Sequence, residues 1–288
     1  MQVPAQFEYE RATSVDHALT LLEKYGPVSR VIAGGHSLIP MMKLRLAQPE
    51  VLVDINELTE LGGIGATPST LRIGALARHA DLLSCAEAGT LFPVLHDAER
   101  VIADPIVRNR GTVGGSLCQA DPSEDLSAAF AAVRAEAVIR SLDGERSVPV
   151  REFFHGPYET AVGPAELLTE IRVPVRPATG SAYAKVGRRA GDWAVAAAAA
   201  ALALDGDTIT EAGIGLTAVG ARQFVAAEAE DFLRGGAATA ERFAEAGAIA
   251  AEHCRPAPDQ RGPVDYKRHL VAILTTRALA LAKTRAEA

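Results

Sequence analysis

Two short apolar runs in this chain stop on paired glycines, and this limits the local fold more than any other feature. The first is "RVIAGGHSLIPMMKLR", Arg30 to Arg45; the second lies within "DPIVRNRGTVGGSLCQADPSEDLSAA". Glycine reaches positive φ and carries no Cβ, so consecutive glycines after a strand let backbone amides gather around an anion, phosphate above all. Ala33-Gly34-Gly35-His36-Ser37 adds a hydroxyl and an imidazole as donors. Gly111-Thr112-Val113-Gly114-Gly115-Ser116 adds two hydroxyls and follows Arg108 and Arg110. Paired glycines also make plain turns, and His36 also reads as an ordinary loop histidine. Neither bend is G-x-x-x-x-G-K-[ST], nor G-x-G-x-x-G opening a helix after the first strand, which argues against P-loop and Rossmann sites. A diphosphate held between both bends accounts for their presence together in an acidic chain.

Periodicity places the bends. After Ser14, Val15, Ala18, Leu19, Leu21 and Leu22 recur at helical spacing, with Asp16 in the first turn and Gly26 as a stop. "SRVIAGG", "EVLVDI" (Glu50 to Ile55) and "TLRIGALA" (Thr70 to Ala77) read as strands, so helix and strand alternate. Phe92 to Ala103 reads as an amphipathic helix, and "SEDLSAAFAAV" as a helix capped by Ser123, before strands at "EAVIRS" and "ELLTEIRVPV". The stretch "VPVRPATG" (Val173 to Gly180) marks a boundary near residue 177. Beyond it, an Asp205-Gly206 hairpin joins strands of a small antiparallel sheet, followed by three helical segments. Abundant alanine predicts tight helix packing.

Composition narrows the functional classes. A net charge of −7 with no Lys/Arg stripe argues against nucleic acid. The three cysteines, Cys85, Cys118 and Cys254, are scattered without a C-x-x-C, so the chain itself supplies neither a disulfide framework nor an iron–sulfur or zinc site. The first residues lack the basic and apolar regions of a secretion signal. The Ala-rich run "WAVAAAAAALALDG" is too short to span a bilayer, and the reading is a cytoplasmic protein with no integral membrane segment.

"AGGHSLIPMMKLRLAQPEVLVDI" and "ADPIVRNRGTVGGSLCQADPSED", with "GDWAVAAAA" and "PAPDQRGPVDYKRHLVAILTTRAL", resemble the FAD-binding medium subunits of the molybdenum hydroxylases, the xanthine dehydrogenase superfamily, and within it most closely the aerobic carbon monoxide dehydrogenases. The resemblance covers nearly the whole chain. It implies an α+β fold: a two-part FAD-binding domain of the vanillyl-alcohol-oxidase type over residues 1–177, with subdomains of about 1–57 and 58–177. A C-terminal domain, 178–288, of three antiparallel strands and a helical bundle follows.

The resemblance also implies site residues. Ala33, Gly34, Gly35, His36 and Ser37, flanked by Ile32 and Leu38, line one side of the FAD diphosphate, and Thr112, Gly114, Gly115 and Ser116 the other. A Cβ at Gly35 is then expected to meet the diphosphate. Ile102 matches an apolar flavin contact, Asp125 a residue on the ribose or adenine side, Leu168 a residue under the isoalloxazine, and Trp193 an aromatic neighbour of the flavin. Lys185 matches a cation at the pyrimidine edge, where positive charge favours the reduced flavin; on residue type alone it is a surface lysine, and Trp193 a core residue. Arg108 and Arg110 support the loop, meet a partner or face solvent. No Ser/His/Asp grouping stands out for catalysis. The implied function is electron output: an iron–sulfur small subunit with 2Fe-2S clusters and a large subunit with the molybdenum cofactor supply electrons, and FAD passes them to an acceptor such as quinone. Two copies of the three-chain unit are implied, with any membrane contact peripheral. A self-sufficient flavoenzyme and a scaffold without FAD are the competing readings.

Overall fold

The computed structural model describes residues 3–288 and divides into three layers of construction. The first contains β1 (Glu8–Arg11), α1 (Val15–Tyr25), β2 (Ser29–Ile32), α2 (Leu38–Lys43) and β3 (Val51–Asp54). Helix α1 begins where extended Ser14 accepts the His17 amide at 3.0 Å and ends on Gly26 at φ 57°. Its five predicted apolar residues are all buried, packed with Val53, Ile55 and Leu58. The strands form a parallel sheet in the order β1-β3-β2, so β2 delivers the first glycine bend at its carboxyl end.

The middle part holds β4 (Ile64–Ala66), β5 (Thr70–Gly74), α3 (His79–Ser84), α4 (Ala86–Leu91), α5 (Pro93–Val101), α6 (Pro105–Arg108), α7 (Val113–Gln119) and α8 (Leu126–Ala132). It continues through β6 (Glu136–Ser141), β7 (Gly144–Pro149), α9 (Val150–Phe153), β8 (Phe154–Gly156), β9 (Glu159–Thr160) and β10 (Leu167–Pro174). Its five-stranded sheet is antiparallel, in the order β4-β5-β10-β6-β7, with Ile171 opposite Ile73 and a bulge between Leu168 and Glu170. The cap of α8 differs from expectation. Glu124, not Ser123, accepts the amides of Leu126 at 2.7 Å and Ser127 at 2.6 Å, because its longer side chain curls back into the buried first turn.

The last part is the sheet β11 (Thr179–Gly187), β12 (Ala194–Asp205) and β13 (Thr208–Thr217), then α10 (Ala227–Leu233), α11 (Ala240–His253) and α12 (Val264–Ala286). Alanine favours helix, yet the alanine run is the central strand. Burial explains the override: Ala197, Ala199 and Ala201 face the core of the middle part, while Ala196, Ala198, Ala200 and Leu202 face the core under α11 and α12. Strand alternation thus serves two cores at once, and methyl side chains let helices approach from both sides. The closest approach is on β13, where a Cβ at Gly213 or Gly215 would overlap the carbonyls of Ala132 or Ala128 in α8. Gly206, at φ 55°, turns the two-residue hairpin that pairs Asp205 with Thr208. No helix of the described residues is long and apolar enough to cross a membrane.

Candidate cofactor site

The two glycine bends touch. A Cβ on Gly34 would overlap the Arg110 carbonyl oxygen and lie 2.8 Å from Gly111 Cα, so only glycine permits this backbone-to-backbone contact. Arg78 fastens the junction. Its guanidinium donates to the Arg110 carbonyl at 2.5 Å and to Asn56 Oδ1 at 3.0 Å, while Asn56 Nδ2 donates to the Ala33 carbonyl at 2.7 Å. Asn56 is itself fixed by Asp54, whose carboxylate also accepts the Tyr9 hydroxyl at 2.5 Å. Burial pushes the Asp54 carboxyl up, but the Tyr9 and Asn56 hydrogen bonds outweigh it and hold the pKa below its ordinary value.

The bends differ in what their amides do. From Ala33 to Leu38 no backbone N–H has a protein partner among the described residues; the first bonded amide is Ile39, to the Gly35 carbonyl at 3.0 Å. His36 and Ser37 are exposed. Gly35 sits at φ 79°, and its missing Cβ faces Ile39 Cδ1 at 2.8 Å. The requirement for glycine there comes from backbone conformation and the neighbouring Ile39.

In the second bend the N–H of Val113 binds the Ala77 carbonyl, that of Gly114 the Ala75 carbonyl, that of Ser116 the Thr112 carbonyl, and that of Gly115 the Thr112 hydroxyl at 3.1 Å. A Cβ on Gly114 would meet Ala75 Cβ at 2.6 Å, so this glycine lets α7 lie against the end of β5. What the second bend still offers is the amide of Thr112, unpartnered among the described residues, and the hydroxyl of half-buried Ser116.

That hydroxyl ends a chain of polar groups that sequence reading missed. Ser116 Oγ lies 3.1 Å from His79 Nε2, and His79 Nδ1 lies 3.0 and 3.1 Å from the two oxygens of Glu99. His79 and Glu99 are both buried. The sequence singled out no Ser/His/Asp grouping for catalysis, and this Ser/His/Glu array forms only because α3, α5 and α7 converge there from separate stretches of chain. His79 at the start of a helix was the one visible hint.

Asp125 and Lys185 form one buried ion pair, Nζ to Oδ2 at 2.7 Å, where the resemblance assigned them to different ends of the cofactor. A charged group this enclosed needs a partner of opposite sign. The Tyr183 hydroxyl donates to the other Asp125 oxygen at 2.6 Å, and Lys185 also donates to the Val101 carbonyl at 3.2 Å. The pair joins the middle part to β11. Ile102, half-buried, caps α5, and its carbonyl accepts Arg108 at 2.7 Å, so Arg108 supports the loop. Leu168 is buried in the main core beside the β10 bulge. Trp193 is 46% exposed, as a core tryptophan would not be.

Unpartnered amides beside a fastened backbone junction, with one remaining hydroxyl, make a set of donors for an anion, and a dinucleotide diphosphate fits it. The family model of the FAD binding domain in molybdopterin dehydrogenase matches residues 5–176, and that of the CO dehydrogenase flavoprotein C-terminal domain matches residues 181–282. The chain belongs to the FAD-binding medium subunits of the molybdenum hydroxylases. This flavoprotein subunit is 42% identical over 278 residues to the carbon monoxide dehydrogenase medium chain of Hydrogenophaga pseudoflava, covering 96% of this chain and 97% of the relative. It is 38% identical over 275 residues to the glyceraldehyde dehydrogenase medium chain of Sulfolobus acidocaldarius, covering 96% and 98%. Among solved structures, it matches the Hydrogenophaga pseudoflava carbon monoxide dehydrogenase lacking the Mo-pyranopterin moiety with a TM-score of 0.95 at 43% identity, covering 98% and 99% of the chains. Quinoline 2-oxidoreductase from Pseudomonas putida 86 matches with a TM-score of 0.92 at 32% identity, covering 99% and 100%. The flavoprotein subunit is thus part of an oxidoreductase of the carbon monoxide dehydrogenase type.

Proposed function

We propose that this subunit is the electron outlet of an aerobic carbon monoxide dehydrogenase. A partner large subunit with the molybdenum cofactor takes CO and H2O to CO2, two protons and two electrons. A partner small subunit relays the electrons through 2Fe-2S clusters, and this chain delivers them to an acceptor such as quinone. The observation that carries the reading is the row of unpartnered amides from Ala33 to Leu38, fastened against the second bend through Gly34 and Arg78.

In this reading Ala33, Gly34, Gly35, His36, Ser37 and Leu38 hold the diphosphate mainly through backbone N–H groups, with Ile32 flanking. Thr112 and Ser116 supply an amide and a hydroxyl from the other side, and Gly114 and Gly115 shape the helix that presents them. FAD, when bound, exchanges electrons singly or in pairs, which suits it to one-electron donors and two-electron acceptors. Lys185 sets a positive charge near the flavin, moderated by Asp125, while Ile102 and Leu168 form apolar walls and Trp193 shields an edge. Residues 1–177 form the FAD-binding domain, with subdomains of about 1–57 and 58–177, and 178–288 closes it. The assembly is a dimer of three-chain units in the cytoplasm, touching the membrane only peripherally.

The 38% identity to a glyceraldehyde dehydrogenase medium chain favours one second reading, an aldehyde or N-heterocycle as substrate of the large subunit. One anaerobic experiment separates them: the chain is isolated with its co-purifying subunits, CO is added, and the flavin band is followed. Bleaching by CO is the expected result. Bleaching by dithionite but not by CO moves the substrate to the second class, and absence of a flavin band leaves a scaffold.

A further inference from the structure

Glu99 lies wholly buried on α5 with both carboxylate oxygens within 3.1 Å of His79 Nδ1, and the other ring nitrogen is 3.1 Å from Ser116 Oγ. Space for this ring is built in, since a Cβ on Gly111 would come within 2.8 Å of His79 Cδ2. None of these contacts serves the fold's sheets or helix caps.

Proton counting gives the array a direction. A neutral imidazole beside an ionised carboxylate puts its single N–H on Nδ1, and Nε2 then accepts the Ser116 proton. With one more proton shared between Glu99 and His79, the outcome reverses. If the imidazole holds it, both nitrogens are donors. If Glu99 holds it, the acid donates to Nδ1 and the ring proton sits on Nε2. Either way Nε2–H donates to Ser116 Oγ, and the hydroxyl proton is released to point away from His79. A serine facing outward with its proton binds phosphate oxygen, whereas one facing outward with lone pairs repels it.

We propose that His79, held by Glu99, is a positioning residue that makes the Ser116 hydroxyl an obligatory donor to the diphosphate of the bound dinucleotide, as long as the buried pair keeps its extra proton. This rests on the FAD reading given above. Burial opposes charge on the imidazole, but the Glu99 carboxylate outweighs it and the His79 pKa is raised. Glu124 adds to the rise, while Arg108 works against it; Asp125 and Arg108 also face Glu99. The extra proton is therefore kept to higher pH than an ordinary imidazole would keep it, so the grip is strongest at the acidic end and weakens toward alkaline pH.

The test uses the full chain with its accompanying subunits, stripped of flavin and titrated with FAD between pH 6 and 10 by flavin fluorescence. Wild-type Kd should rise about tenfold over the alkaline limb, the worth of one hydrogen bond to a charged group. Ser116→Ala should bind about tenfold more weakly at pH 6 with no limb. His79→Gln should also lose the limb and add no further weakening in the Ser116→Ala background, because both act through one hydrogen bond. Glu99→Gln, a second route if His79→Gln fails to fold, should move the limb to lower pH. Additive losses from His79→Gln and Ser116→Ala would reduce His79 to a structural part and overturn the proposal. Tight FAD binding without an alkaline limb in the wild type would overturn it while leaving the FAD reading intact. Failure of the wild type to bind FAD at any pH would remove both.

Discussion

From Ala33 to Leu38 six residues leave their amides unpartnered, whereas from Val113 to Ser116 each amide is already bonded, to the Ala77 and Ala75 carbonyls or to the hydroxyl and carbonyl of Thr112. Both bends have paired glycines and a following serine, so composition does not separate them. The difference lies in what each glycine meets. Gly34 rests on the other bend's backbone and Gly35 takes a positive φ, while Gly114 is pressed onto Ala75. The first bend is a set of free donors held open by its neighbour. The second is a capped helix start that serves as the abutment, offering side chains more than backbone.

That contrast breaks most visibly at the junction. Gly34→Ala forces the Arg110 carbonyl and Gly111 away, and flavin content should fall below about a tenth of the wild-type value, with a stability loss of about 1–3 kcal/mol typical of overpacking. Absorbance of the purified protein and thermal unfolding measure the two effects, and full flavin occupancy in this variant would show that the bends can separate without consequence. Arg78→Ala leaves the Arg110 carbonyl and Asn56 without their clamp. About 1–3 kcal/mol of stability should go, with FAD affinity reduced roughly tenfold, as measured by denaturant unfolding and flavin titration.

Gly114→Ala sharpens the comparison from the closed side. It should cost about 1–3 kcal/mol through the clash with Ala75 and yet change FAD affinity by no more than about threefold, since the Gly114 amide already serves Ala75. Equal losses of affinity in Gly34→Ala and Gly114→Ala would erase the distinction. Glu124, beyond both bends, should have a pH-dependent effect on stability. Burial raises its pKa to about 7 from 4.5, so the folded chain keeps a proton in that window that the unfolded chain releases. Stability then declines as pH rises from 4.5 to about 7, by about 1.4 kcal/mol for each pH unit of full separation, and is flat above. Thermal unfolding of Glu124→Gln across this range should show a shallower slope; an unchanged slope would assign the dependence to other groups.

Local pattern carried a long way here. The capped start of α1, its buried stripe, the strand leading into Ala33, the Asp205-Gly206 hairpin and the helices at the end of the chain were all legible, because each depends on spacing within a few residues. The alanine strand was legible as a strand through its hairpin, but its service to two cores was not, since that depends on α8 and α12 arriving from far away in sequence. Glu124 displaced Ser123 as a cap for a similar reason: burial of the turn, invisible locally, favours the residue that reaches two amides.

The site divides in the same way. By itself the sequence determined where the backbone is free to bend around an anion, because glycine's lack of a Cβ is a property of the residue, and its motifs carried the family. Only the tertiary structure decided which bend keeps its amides free, that Arg78 and Asn56 fasten the two, that Asp125 neutralises Lys185, and that Ser116, His79 and Glu99 line up. A hydrogen bond depends on placing two atoms within about 3 Å. For residues from separate helices and strands, the packing of the whole chain sets that distance, and no short stretch of sequence encodes it.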